Sequence, residues 1–251
     1  ASADDADNNI AIGKLAMGGS DVSGADNIAI GENAADALLT GATNIAIGKN
    51  ALTALTIGLC NIAIGQAAMG GITTSQVDGS IAIGNNALGG TNNTSGDYNI
   101  GIGKNVLDDL TSGACNVGIG DCALTAVSTG SNNVAIGTGS GDALSTGGSN
   151  VAIGNLALSA ATTSSQNVAI GCGAMQASVE NAEHNTAVGF NAMGSGVTTG
   201  DGNSALGVNA GAGFTSGNHN VALGNAALNG ATTGHGNIGV GYYAMSAVVT
   251  G

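Results

Sequence analysis

The sequence predicts a repeat β-solenoid, a parallel β-roll of about 14 coils of 17–19 residues. Each coil should hold a short strand plus a short helical turn or a second short strand. Three observations predict it. The phrase NIAIG at Asn44–Gly48 recurs, little changed, from end to end. Its apolar residues alternate. The composition forbids an ordinary aromatic core while remaining too aliphatic for disorder.

The closing glycine of each phrase stands at Gly13, Gly31, Gly48, Gly65, Gly84, Gly103, Gly120, Gly137, Gly154, Gly171, Gly189, Gly207, Gly224 and Gly241. Most intervals are 17 residues and none exceeds 19. Residues 1–251 therefore read as a single repetitive solenoid domain. Thr250-Gly251 stands where Thr40-Gly41 and Thr146-Gly147 stand, so the chain is expected to start and end within a repeat, as part of something longer.

With the closing glycine as position 0, the columns are chemically pure. Position −4 is Asn in 13 of 14 copies, with Ser80 the exception. These are Asn9, Asn27, Asn44, Asn61, Asn99, Asn116, Asn133, Asn150, Asn167, Asn185, Asn203, Asn220 and Asn237. Stacked in register, they predict a structural amide ladder, each side chain bonding its neighbours. Position −1 is always Ile, Val or Leu, and position −3 is Ile or Val except at Thr186 and Ser204. Apolar residues two apart mark a strand, so Ile45 and Ile47 share a face and Ala46 takes the other. The expectation is an Ile/Val core and an outward, nearly featureless Ala/Gly column.

That column comprises Ala11, Ala29, Ala46, Ala63, Ala82, Gly101, Gly118, Ala135, Ala152, Ala169, Ala187, Ala205, Ala222 and Gly239. An outward strip of this kind would be a long apolar patch. It is expected to pack chain against chain, most simply as a homotrimer around a threefold axis.

After the glycine the rhythm changes. Position +3 is mostly Ala, +4 mostly Leu or Met, and +7 often apolar, as at Leu55 and Leu110. Spacing of three, four and seven points to one or two helical turns, a second short strand being the alternative. All five methionines occupy position +4, where they alternate with Leu and read as core filler. A Ser/Thr-Gly corner follows, then variable residues. The variable rim carries the three lysines and the candidate receptor contacts Tyr98, His219, Tyr242 and Tyr243.

The formal charge is −13, with three Lys and no Arg. Such a chain lacks the basic clusters that bind phosphate backbones or anionic membranes. No run of 18 apolar residues is present, so no membrane insertion is expected. Cys60, Cys115, Cys122 and Cys172 show no metal-ligand spacing, and Cys115 with Cys122 is the one pair worth checking as a disulfide. Breaks in the columns are where chemistry would sit. They are ITTSQVDGS and GTNNTSGDY in the long intervals, VENAEHN at Val179–Asn185, the GTGSGD at Gly137–Asp142, and the Asp108-Asp109 pair. None places a third ligand beside Glu183 and His184, and the glycine-rich run lacks the strand–helix context of a phosphate loop. No catalytic residue, metal or cofactor is assigned.

The pattern N-[IV]-A-[IVL]-G-x-[NAC]-A-[LM]-x(5-8)-[ST]-G resembles the Gly/Ala-rich 17-residue repeats of bacteriophage tail-fibre proteins. It is also similar to the head repeats of trimeric autotransporter adhesins. The resemblance covers the whole chain. It implies a trimeric, left-handed parallel β-roll displayed on a virion or cell surface, with a glycan or protein receptor as partner. Two other readings stand beside it: a polymerising extracellular filament, and an ice-binding solenoid using the corner Ser/Thr column.

Overall fold

A computed structural model describes residues 8–19, 22–72, 76–90, 96–178, 180–196, 198–230 and 233–247. Thr250-Gly251, Val179 of the VENAEHN break and parts of the two long-interval insertions lie outside the described residues. The chain is a parallel β-solenoid and divides into two compact units, residues 1–129 and 130–251.

In the first unit the strands are β1 (Ile10–Ile12), β2 (Ile28–Ile30), β3 (Ile45–Ile47), β4 (Ile62–Ile64), β5 (Ile81–Ile83), β6 (Ile100–Ile102) and β7 (Val117–Ile119). The second unit holds β8 (Val134–Ile136), β9 (Val151–Ile153), β10 (Val168–Ile170), β11 (Thr186–Val188), β12 (Ser204–Leu206), β13 (Val221–Leu223) and β14 (Ile238–Val240). Within each unit consecutive strands pair in parallel, like column on like column. Ile45 faces Ile62, Ala46 faces Ala63 and Ile47 faces Ile64. In the second unit Val168 likewise faces Val151 and Ala169 faces Ala152. Repetition of one phrase at a fixed register is what permits this, because a one-residue slip would turn every side chain to the wrong face.

The strands face the opposite way from the expectation. Ala29, Ala46, Ala63, Ala82, Ala135, Ala169 and Ala187 are fully buried, and Ala152, Ala205 and Ala222 nearly so. Gly101, Gly118 and Gly239 are buried with them, and only Ala11, in the first described coil, is exposed. The Ile and Val residues on either side are half-buried or exposed. The Ala/Gly column is therefore the inside of the coil and cannot be a chain–chain face. The coil is too narrow for anything larger, because the opposite wall stands immediately across. A Cβ on Gly101 would lie 3.4 Å from both Leu88 Cδ1 and Val106 Cγ1.

That opposite wall is the segment after the closing glycine, and among the described residues it is neither helix nor strand. Ala51, Leu52 and Leu55 all point inward and are fully buried, as the spacing of three, four and seven requires. They do so without a run of helical bonds, beyond single turn bonds such as Ala51 N to Gly48 O at 3.3 Å. Asn50 and Leu52 adopt φ of 58° and 51°, so left-handed residues flank Ala51 on both sides. Their N–H groups serve neighbouring coils instead of their own. Asn50 N donates to Glu32 O at 2.9 Å, and Leu52 N to Ala68 O at 3.0 Å. A helix would spend those donors internally; the stack uses them to tie coil to coil. Met69, Met175 and Met193 fill this wall and are fully buried.

The closing glycine has its own requirement. At Gly154 φ is 135°, a conformation that L side chains rarely adopt, and a Cβ there would fall 2.5 Å from Gly171 O of the next coil. Close backbone stacking at this corner leaves room for hydrogen only.

A candidate interaction face

The amide column holds each coil closed and each to the next. Asn44 N and Nδ2 both donate to Asn27 Oδ1, at 2.9 and 3.1 Å. Nδ2 also donates to Gly58 O at 2.8 Å, the carbonyl of the next coil's corner. Asn44 Oδ1 in turn accepts from Asn61 N and Nδ2, at 3.0 and 3.1 Å. The second unit repeats the arrangement at Asn150, Asn203 and Asn220. Asn27, Asn44, Asn61, Asn99, Asn116, Asn133, Asn150, Asn167, Asn185, Asn203 and Asn220 are buried. Buried amides with filled bonds are structural, and they leave the functional question to the surface.

Most of the surface is a mosaic. The residue before each Asn, at position −5, is left-handed and points to solvent; it includes Asp26, Tyr98, His184 and His219. Tyr98 is 61% exposed and its ring lies over Gly79 of the preceding coil, where a Cβ would fall 2.7 Å from Cδ1. His219 lies likewise over Gly202, where a Cβ would be 2.6 Å from Nδ1. Sequence reasoning missed these glycines. The signal was a glycine at position −5 just before an aromatic in the same column. Tyr242 and Tyr243 form an edge-to-face pair with ring centroids 4.5 Å apart. Tyr98 belongs to the first unit and the other three to the second, so no single cluster unites the four rim residues within a unit.

The charged groups of the described residues are scattered. Among the described residues no group of three or more His, Cys, Asp or Glu could hold a metal ion. Glu183 spends its N–H on Asp201 Oδ1 at 2.8 Å, and Asp201 N goes to Asn218 Oδ1 at 2.8 Å. These side chains extend the ladder of coil-to-coil bonds. Ala182 takes the place of the corner glycine in the VENAEHN break, its carbonyl accepting from Asn167 Nδ2 at 2.7 Å. Gly139 and Gly141 are an ordinary left-handed pair in the coil wall, and Ser140 Oγ between them donates to Ala152 O at 2.7 Å. Asp108 is held above the usual carboxylate range by burial and by the charge of Asp109, while a bond from Asn86 opposes the shift. Glu32 is lowered by its bond to Lys49, 3.0 Å away and exposed. All four cysteines are free thiols, Cys115 and Cys122 included.

What remains is the outer face of the strands. Positions −3 and −1 of each coil project there, forming two aliphatic rows. Leu206 is 51% exposed and Leu223 41%. Not one of the 19 charged residues of the chain falls at positions −3 to −1. In a chain of charge −13 that strip is a regular apolar surface from which charge is absent. It is apolar, uniform in sequence and repeated at the strand spacing of about 4.8 Å. The sequence signal for it was the uniform smallness of position −2, which marks a volume-limited interior. Neither a protein-family model nor a curated protein matches the chain, so the face is read from its own chemistry.

Proposed function

We propose that the chain is a structural and adhesive fibre segment that self-associates through the outer face of its strands, as a homotrimer displayed on a virion or cell surface. The observation that carries this reading is the pair of exposed Ile/Val/Leu rows without a single charge. Burying such a strip in a second copy removes apolar area from water, worth about 25 cal/mol for each Å². The net charge of −13 would keep assembled particles apart at every other surface. Receptor contacts, to a glycan or protein, then fall to rim residues such as Tyr98, His219, Tyr242 and Tyr243, which stand outside the rows. The reading assigns no catalysis and no cofactor.

Light scattering on the purified chain tests it. A concentration-independent mass three times the 23.6 kDa of one chain is expected. A monomer at all concentrations would remove the interface and bring the ice-binding reading forward. An open-ended series of masses would favour a polymerising extracellular filament.

A further inference from the structure

The outer rows of the second unit are not uniform, and their departures are paired. Position −3 is Val at Val134, Val151, Val168 and Val221, but becomes Thr186, similar to Val in size, on β11 and shrinks to Ser204 on β12. Position +1 does the reverse. It is polar or small at Thr138, Asn155, Cys172 and Asn225, but becomes Phe190 and Val208 in the coils of β11 and β12. Only the coil of β14, with Ile238 and Tyr242, is large in both rows.

Within one chain this exchange of size has no use. Phe190 is 57% exposed and Val208 41%, so neither side chain folds back over the small residues. Thr186 and Ser204, with Val188, Leu206, Val221 and Leu223, line an open depression of about 190 Å³. An exposed bulky apolar group and an apolar depression that begins in the same coil thus share one face.

We infer that Phe190 of one copy seats in the Thr186/Ser204 depression of a second copy of this chain, with Val208 beside it, and so fixes the register of assembly. This rests on the self-association proposed above. In any cyclic arrangement of parallel copies about an axis along the stack, the −3 edge of one face meets the +1 edge of the next. Such a contact joins an exposed ring on one edge to a depression near the other. Charge points to the same occupant. In the second unit neither edge nor the rows between carries a charged side chain, so two copies of a −13 chain can meet there without opposing like charges.

A double-mutant cycle read by oligomer dissociation tests this on the full chain. Phe190→Ala should raise the dissociation concentration about tenfold, as loss of a central aromatic anchor does. Ser204→Leu fills the depression and should weaken assembly similarly, by obstructing the ring. The two together should cost clearly less than the product of the single effects, because the added leucine occupies the space the ring vacated. Oligomers indifferent to both substitutions, or effects that simply multiply, would overturn the register contact while leaving self-association standing. A native chain that is monomeric overturns both. Since Phe190 is exposed in the single chain, Phe190→Ala should leave the melting of dissociated chain unchanged. Loss of folding there would mean the ring packs within its own chain, and the inference would fail.

Discussion

Val106 lies against Gly118: a Cβ added at Gly118 would fall 2.6 Å from Val106 Cγ1. Val106 stands at position +3, where nearly every other coil has Ala, and the inner strand positions of its own coil and the next are Gly101 and Gly118. One extra pair of methyl groups on one wall is matched by the absence of a methyl on the other. The interior of the coil is filled to fixed volume, which is why its columns are so pure.

Gly118→Ala should therefore destabilise the chain by about 1–3 kcal/mol through overpacking. Adding Val106→Ala should restore most of the loss. Chemical denaturation of the two single variants and the double variant checks this. Equal losses in the single and double variants would show that the two positions do not share a space.

Ala63→Leu should damage folding and not assembly. Ala63 is fully buried, and its methyl faces the opposite wall of the coil. The outward neighbour Ile64→Thr should do the reverse, lowering oligomer stability with a folding cost of about 1 kcal/mol or less. Melting curves and light scattering on the same samples separate the two effects.

Asn150→Ala removes bonds in three directions: to Asn133 Oδ1 at 3.0 Å, to Ser164 O at 2.9 Å, and from Asn167 N at 3.0 Å. Buried groups left unpaired cost about 1–3 kcal/mol each, so a loss of roughly 3 kcal/mol is expected. Asn150→Ser should cost less. Ser80 shows how a hydroxyl serves in this column, its Oγ accepting from Asn99 N at 3.1 Å. Thermal melts ranking Ser no better than Ala would remove the side-chain acceptor from the account.

Asp142 carries the pH prediction. Burial holds its carboxyl above the usual range, with bonds from the backbone N–H of Asp142 and Ala143 opposing the shift, and its Oδ1 is buried without a partner among the described residues. The raised value means that the fold favours the protonated form. Its contribution is fully present below the unfolded value near 3.8 and is lost as pH rises through the higher folded value. Asp142→Asn should accordingly melt above the native chain at pH 7, and the gap should close by pH 3. A gap constant across that range would show that the charge on Asp142 is not what burial opposes.

The sequence by itself determined the stack. A phrase repeated at near-constant spacing allows one pairing register, and a column of Asn can satisfy buried amides only by bonding its own copies, as Asn27, Asn44 and Asn61 do. The inward set after the glycine was legible too, since Ala51, Leu52 and Leu55 are buried where the spacing places them. Tertiary structure decided two things. It decided which face of the strand is inside, because period-two alternation divides Ile45 and Ile47 from Ala46 without saying which side has room. The wall across the coil leaves space for a methyl, so the larger side chains go out. It also decided the backbone after the glycine. Helical spacing is a statement about which residues share a side, and left-handed residues such as Asn50 and Leu52 meet it while sending their N–H groups to neighbouring coils. Only the presence of those coils makes that conformation the favourable one.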